Sequence, residues 1–189
     1  GEGRFAVMEL SLLEDSTRVL RVLTPEVWYP MLLCLSPDES TLAVLDAQSG
    51  PNSQQRVWLH RIDASVDPIS VGGPDGYDDG QFTQYPAGLA ITPDGQLLVS
   101  SDTRIQAFGL DGSFRHKIDI GQAAGAIAVD ALGNIVCVVD GIRLQVFNPE
   151  WTLLHDDISG MLDSPCRTIA IDHSIGRIAV GGEMLRILD

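Results

Sequence analysis

Histidines, cysteines and clustered carboxylates are the side chains in this sequence that could do chemistry, and their spacing decides which chemistry. His60, His116, His155 and His173 share no short interval, so a metal would need a fold that brought distant positions together. Lying near strand ends, they read as solvated or internally satisfied side chains. Asp75-Gly76-Tyr77-Asp78-Asp79-Gly80 puts three carboxylates in a glycine loop, as calcium ligation would. No acid stands at the twelfth position, so the segment reads as a connecting loop. Cys34, Cys137 and Cys166 sit in or beside apolar runs. An odd count without tight spacing argues against a disulfide framework and a zinc site, and predicts three buried free thiols in a reducing compartment.

Arg56, Arg104, Arg143 and Arg186 each open an apolar run, and Asp102, Asp140 and Glu183 precede the last three by two or three residues. That recurrence predicts an ionic tie between strands rather than a ligand site. No G-x-S-x-G elbow and no phosphate-cradling glycine loop before a helix is present. The expectation is therefore no catalytic group, no metal and no cofactor. The large aromatics in connecting segments are the better candidates for contact with a partner: Trp28, Tyr29, Tyr77 and Trp151. Phe82 reads instead as a wedge within the core.

The elements that must carry these residues are short strands. Gly80 to Phe114 holds apolar runs around Ala90, Leu98 and Ile105, and Phe114 to Ile118 follows as a fourth. Pro93-Asp94-Gly95, Asp102-Thr103 and Leu110-Asp111-Gly112 separate them. Runs of four to six residues suit strands, and Pro-Asp-Gly and Asp-Gly supply the positive φ of tight turns. The same four-run pattern recurs from Ser36 to Thr92 to Asp130 to Asp172, at intervals of 56, 38 and 42 residues. The first interval is lengthened by a polar insertion at 47–55 and a linker at 63–80. Repeats of about 40 residues with four strands apiece predict an all-β chain of β-propeller blades packed face to face.

The predicted blades are 1–23 in part, 30–71, 81–120, 121–160, and 161–189 in part, about four in one domain. Two arrangements remain open. The N-terminal segment lends its outer strand to the last blade and closes a small ring, or the chain is an arc of a larger propeller. Beginning Gly1-Glu2-Gly3 without Met, the chain reads as a processed or excised piece of something longer.

The totals narrow the function classes. The 189 residues carry a net charge of −14, with Asp+Glu 26 against Lys+Arg 12, and Lys117 is the single lysine. Such a surface repels phosphate backbones. No apolar run approaches a membrane span, and no leader is visible, so a cytoplasmic location is expected.

Gly80-Gln81-Phe82, Pro86-Ala87-Gly88-Leu89-Ala90-Ile91, Asp94-Gly95, Leu98-Val99, Arg104-Ile105-Gln106, Phe108 and Asp111-Gly112-Ser113-Phe114 together resemble one well-kept NHL repeat. Residues 125–147 resemble a second, while 31–71 and 161–189 are degenerate. The resemblance implies an NHL-like propeller used as a binding platform, as in the C-terminal part of tripartite-motif RING ubiquitin ligases. It implies a non-catalytic, substrate-recognising module, with a protein partner that offers a basic segment to the acidic face. RNA binding is the family's other use, disfavoured here by charge. A lactonase or lyase type of propeller enzyme is the third reading.

Overall fold

The computed structural model describes residues 5–13, 16–27, 29–48, 54–62, 66–83, 86–156, 165–172, 177–182 and 185–188, and every regular element among them is a strand. In chain order these are β1 (Phe5–Leu13), β2 (Ser16–Val27), β3 (Pro30–Leu35), β4 (Thr41–Gln48), β5 (Gln54–Arg61) and β6 (Ile69–Pro74). Then come β7 (Gly88–Ile91), β8 (Gln96–Ser101), β9 (Arg104–Gly109), β10 (Phe114–Asp119), β11 (Ala124–Val129) and β12 (Ile135–Val139). The last are β13 (Arg143–Phe147), β14 (Leu153–Asp156), β15 (Cys166–Asp172), β16 (Arg177–Gly182) and β17 (Leu185–Leu188). Antiparallel pairing joins β3–β6, β7–β10 and β11–β14 into three four-stranded sheets. β15–β17 form a three-stranded sheet, and β1 with β2 a sheet of their own. The chain is therefore all-β and built of propeller blades, as its repeats predict.

The turn between the first and second strand of each blade shows why the sequence folds this way. In the second blade Gly95 N donates to Thr92 O at 3.0 Å, Gln96 N donates to Thr92 Oγ1 at 2.8 Å, and the Thr92 hydroxyl donates to Asp94. The first blade repeats it with Ser36, Asp38 and Thr41. The third replaces the hydroxyl with Asp130, which accepts from Leu132 N and Asn134 N, both at 2.8 Å. The left-handed position in each turn is filled by Glu39, Gly95 and Gly133. Side chains that satisfy the backbone locally fix the turn, and the turn fixes the register of the strands on either side.

The sheets pack face to face, and each hydrophobic core lies between two of them. The first holds Leu45, Val57 and Leu59 of one blade against Leu89, Leu97 and Phe108 of the next. The second holds Leu98, Ile105 and Ala107 against Ile127, Cys137 and Phe147, and the third Val136, Val138 and Leu144 against Cys166 and Val180. Phe82, from the connecting loop, is buried between blades, edge-on to Phe108 with ring centres 6.0 Å apart. It is the wedge the sequence predicts. Gly72, at φ +88, passes so close that a Cβ there would stand 2.6 Å from the Phe82 ring.

The first strands β3, β7, β11 and β15 touch in that order, so the sheets fan out from a common side. The N-terminal hairpin packs Val7 and Val27 on Leu42 and Val44 of β4, at the far end of the row from β15–β17. The described strands form one row of sheets, from the hairpin to β15–β17. Apolar side chains stay exposed at both ends of it: Met31, Leu33 and Leu35 on β3, and Leu185 and Ile187 on β17. Among the described residues no helix is long and apolar enough to cross a membrane.

Candidate functional site

First strands begin, and the turns between second and third strands lie, at one end of the blades. This upper end gathers the polar groups nearest the shared side. Asp46, buried at the end of β4, accepts from Tyr29 N at 2.6 Å. Asp102 and Asp140 occupy left-handed turn positions, φ 57 and 50. The Asp102 carbonyl accepts from Ala124 N at 2.6 Å, and the Gly141 carbonyl from Cys166 N at 2.5 Å. Asp140 Oδ1 accepts from Ala123 N at 3.1 Å, and Ser100 Oγ donates to Gly125 O at 2.5 Å. Through Asp102 O, Gly141 O and Ser100 Oγ the second and third blades latch onto the start of the blade that follows, whereas the Asp46 and Asp140 carboxylates tie down the entry of their own blade. The carboxylates of Asp46 and Asp140 serve as fixed acceptors for backbone amides.

The recurring arginines do not behave alike. Arg143 pairs with Asp140 at 3.3 Å, as the spacing predicts. Arg104 does not take its partner from the turn. Buried at 8% exposure, it donates from Nη1 to Tyr77 O at 2.5 Å, and from Nη2 to Gly76 O at 3.1 Å and Gln81 O at 2.9 Å. Gln106 helps, donating to Gln81 O at 2.8 Å and accepting from Gly80 N at 2.9 Å. The turn Asp102-Thr103 carries Asp102 in the left-handed region, and the three carbonyls of the 76–81 loop stand where its guanidinium ends. Sequence spacing holds no signal for that loop, which returns over the blade from more than 20 positions away. Arg56 lies over the Trp58 ring at 6.0 Å. The side chain of Arg186 and residue Glu183 lie outside what the structure describes.

That clamp explains the acidic loop. Its backbone carbonyls are bound to Arg104, and Asp79 is paired with Lys117. Among the described residues no three His, Cys, Asp or Glu side chains gather into a metal-binding group.

The aromatic candidates separate. Tyr29 and Tyr77 are exposed at the upper end, Tyr77 at 73% with the Arg104 guanidinium 5.8 Å from its ring centre. Trp151 belongs to the opposite end. It sits in the turn between β13 and β14 at φ 63, the place Gly112 takes in the preceding blade. It is half-buried against the second core, 4.8 Å from the His116 ring. Trp28 and His173 lie outside the described residues.

Clefts open between blades among the described residues, and two of them are lined by charged or thiol side chains. One, of about 470 Å3, lies beneath the first blade between Asp38, Arg61 and Asp67 over Leu59, Ile69 and Leu110. The other, of about 280 Å3, lies where β3, β7 and β11 end, and includes Cys34, Pro93 and Asp130. Burial pushes the Cys34 thiol up to about 12, which keeps it protonated and unreactive at neutral pH. The Ser36 and Ser40 groups hold Asp38 down at about 2, so it is an ionised, weakly basic carboxylate. Sequence reading missed both clefts, since their walls come from separate repeats.

No family model matches this chain, and no curated protein matches it. Solved structures do. One is a gluconolactonase from Xanthomonas campestris, 18% identical with a TM-score of 0.68, covering 94% of this chain and 62% of that one. Another, assigned provisionally as a gluconolactonase, is 18% identical with a TM-score of 0.59, covering 85% of this chain and 60% of that one. This chain therefore spans about three-fifths of the length of these neighbours. At such identity the likeness shows the fold, a β-propeller, and lends no support to the NHL or tripartite-motif reading. The expectation of a domain that is not an enzyme is also corrected, since the neighbours that share this fold are named as enzymes. The physical reason is spacing. Groups that meet at a propeller's shared side come from different blades, some 40 residues apart, so a local motif search passes over them.

Proposed function

We propose that this chain builds part of a lactone hydrolase of the gluconolactonase type. The observation that carries the reading is the superposition of 94% of the chain on a gluconolactonase at a TM-score of 0.68. In the reaction proposed, water adds to the ring ester carbonyl and the ring C–O bond breaks. The products are a carboxylate, a hydroxyl on the former ring carbon and a released proton. The upper end is the proposed seat of this chemistry, because it gathers the Asp46, Asp102 and Asp140 carboxylates at the same end of the blades as the exposed rings of Tyr29 and Tyr77. Those two tyrosines are the proposed contact residues, with flat faces suited to a sugar ring.

The test is proton release from glucono-δ-lactone by the purified protein, followed with a pH indicator, in chelator and with added calcium or zinc. Turnover above spontaneous hydrolysis is expected, with KM raised several-fold by Tyr29→Ala or Tyr77→Ala in protein of unchanged melting. A rate equal to buffer under all three conditions would overturn the proposal.

A further inference from the structure

The larger cleft lies at the lower end of the first two blades, and the chemistry proposed for the upper end leaves it unused. Alternation along β5 turns Val57, Leu59 and Arg61 toward the second blade, and β6 pairs Ile69 with Leu59 on the same face. Val57 and Leu59 are sealed in the first core, whereas Arg61 and Ile69 lie past its edge and are exposed. Leu110 lines the cleft from the second blade, and Asp67 lines it beside Ile69. Its volume of about 470 Å3 is that of a small-molecule pocket rather than a packing defect.

The next junction is built differently at the corresponding place. His116 holds the strand position of Ile69, since it pairs with Ala107 as Ile69 pairs with Leu59. Trp151 takes the turn position of Gly112 and packs on that histidine, with ring centres 4.8 Å apart, and on the second core. Gly112 brings no side chain to the first junction, whose lower end stays open.

The charges around the cleft select the ligand. Among the described residues the side chains of Arg61 and Asp67 have no hydrogen bond and no ion pair, although both line it. Asp38 is already spent: its carboxylate accepts from Ser36 Oγ, Ser40 N and Ser40 Oγ. One free cation and one free carboxylate thus stand over a floor of Leu59, Ile69 and Leu110. A simple carboxylic acid bound there would meet Arg61 but leave Asp67 facing a like charge, and a simple amine would do the reverse. A zwitterion satisfies both.

We propose that this cleft binds a free amino acid with a large apolar side chain. Its carboxylate would meet Arg61, its ammonium Asp67, and its side chain the three apolar residues of the floor. The inference does not rest on lactone hydrolysis, whose proposed seat is at the opposite end of the blades.

The experiment titrates the protein with L-phenylalanine and follows the backbone amides of Leu59, Ile69 and Leu110 by NMR. Saturable shifts at these residues are expected. Phenylalaninamide and N-acetylphenylalanine, each lacking one charge, should bind about tenfold more weakly. Arg61→Gln should erase the preference for the acid over the amide, and Asp67→Asn the preference for the free amine over the acetylated one. Both side chains are exposed, so melting should be unchanged in either variant. Shifts that do not saturate, or equal affinity for the three compounds, would overturn the proposal. So would octanoate binding more tightly than phenylalanine, which would give the cleft to a simple carboxylate. Each of these outcomes reads the same whether or not the protein turns over a lactone.

Discussion

Arg104 and Tyr77, 27 positions apart, are joined twice: the guanidinium donates to the Tyr77 carbonyl at 2.5 Å and lies 5.8 Å from the centre of its ring. One buried cation thus holds the loop that displays an exposed aromatic. Arg104→Ala would leave the Gly76 and Tyr77 carbonyls without this donor and Gln81 O with Gln106 alone, at a cost of about 3 kcal/mol by urea unfolding. Arg104→Lys should recover only part of this, because an ammonium lacks the planar fork that reaches three acceptors. A loss below about 0.5 kcal/mol for the alanine variant would show that the clamp contributes little.

Gly88 marks a close approach between blades. A Cβ there would stand 2.6 Å from Ile127 N, 2.7 Å from Ser100 Oγ and 2.9 Å from Gly125 O. Two of these are backbone atoms and cannot swing aside. Gly88→Ala should cost about 2–3 kcal/mol through overpacking. Gly121, at φ +68 with nothing within 4 Å, meets only backbone strain, and Gly121→Ala should cost about 1 kcal/mol. Equal costs in denaturant unfolding would contradict the inter-blade contact.

Much of this fold was legible because the determinants are local. The Thr92–Asp94 and Ser36–Asp38 turns are written in adjacent residues, and the apolar run around Ala90 is β7, Gly88–Ile91. Arg104 and Arg143 open β9 and β13 as their recurrence predicted. The functional residues were less legible because they depend on returns across the chain. Arg104 was assigned to its neighbour Asp102, but its acceptors arrive on a loop placed by Phe82. The family resemblance failed for a related reason. Glycines at close approaches, acidic turns and alternating apolar strands are what any four-stranded blade requires, so they report the propeller rather than one lineage of it.

His60 should make stability fall in mild acid. Burial holds its pKa below the ordinary 6.5, and its Nε2 is buried without a partner among the described residues. The unfolded chain therefore binds the proton more readily, and stability is lost as pH drops below 6.5 toward the lower folded value. Asp94 and Asp111, lowered chiefly by Thr92 and Ser113, add their own loss only below 3.8. Between pH 6.5 and 5 the melting temperature should fall by roughly 1–3 °C, and His60→Gln should flatten that slope. An unchanged slope would assign the effect elsewhere.

Thiol reactivity should follow burial. Burial pushes Cys137 up to about 12, and the side chain is fully enclosed in the second core. At pH 8 neither Cys137 nor Cys34 should react with iodoacetamide on the timescale of a free thiol, and both should react once urea unfolds the chain. Rapid labelling of Cys137 in the native protein would show that the second core opens locally, well below the cost of global unfolding.

Leu144 and Ile187 hold the same place in successive blades, and their contrast separates sequence from context. Leu144 is sealed between two sheets, whereas Ile187 faces outward from the last. Leu144→Ala removes buried methyl groups from a core that cannot fully collapse, and should cost about 3 kcal/mol. Ile187→Ala removes similar atoms from water-exposed surface and should stay within about 0.5 kcal/mol. If both variants lost the same stability in urea, Ile187 would already be covered within this chain. If neither lost any, face-to-face packing would not be what holds the blades together.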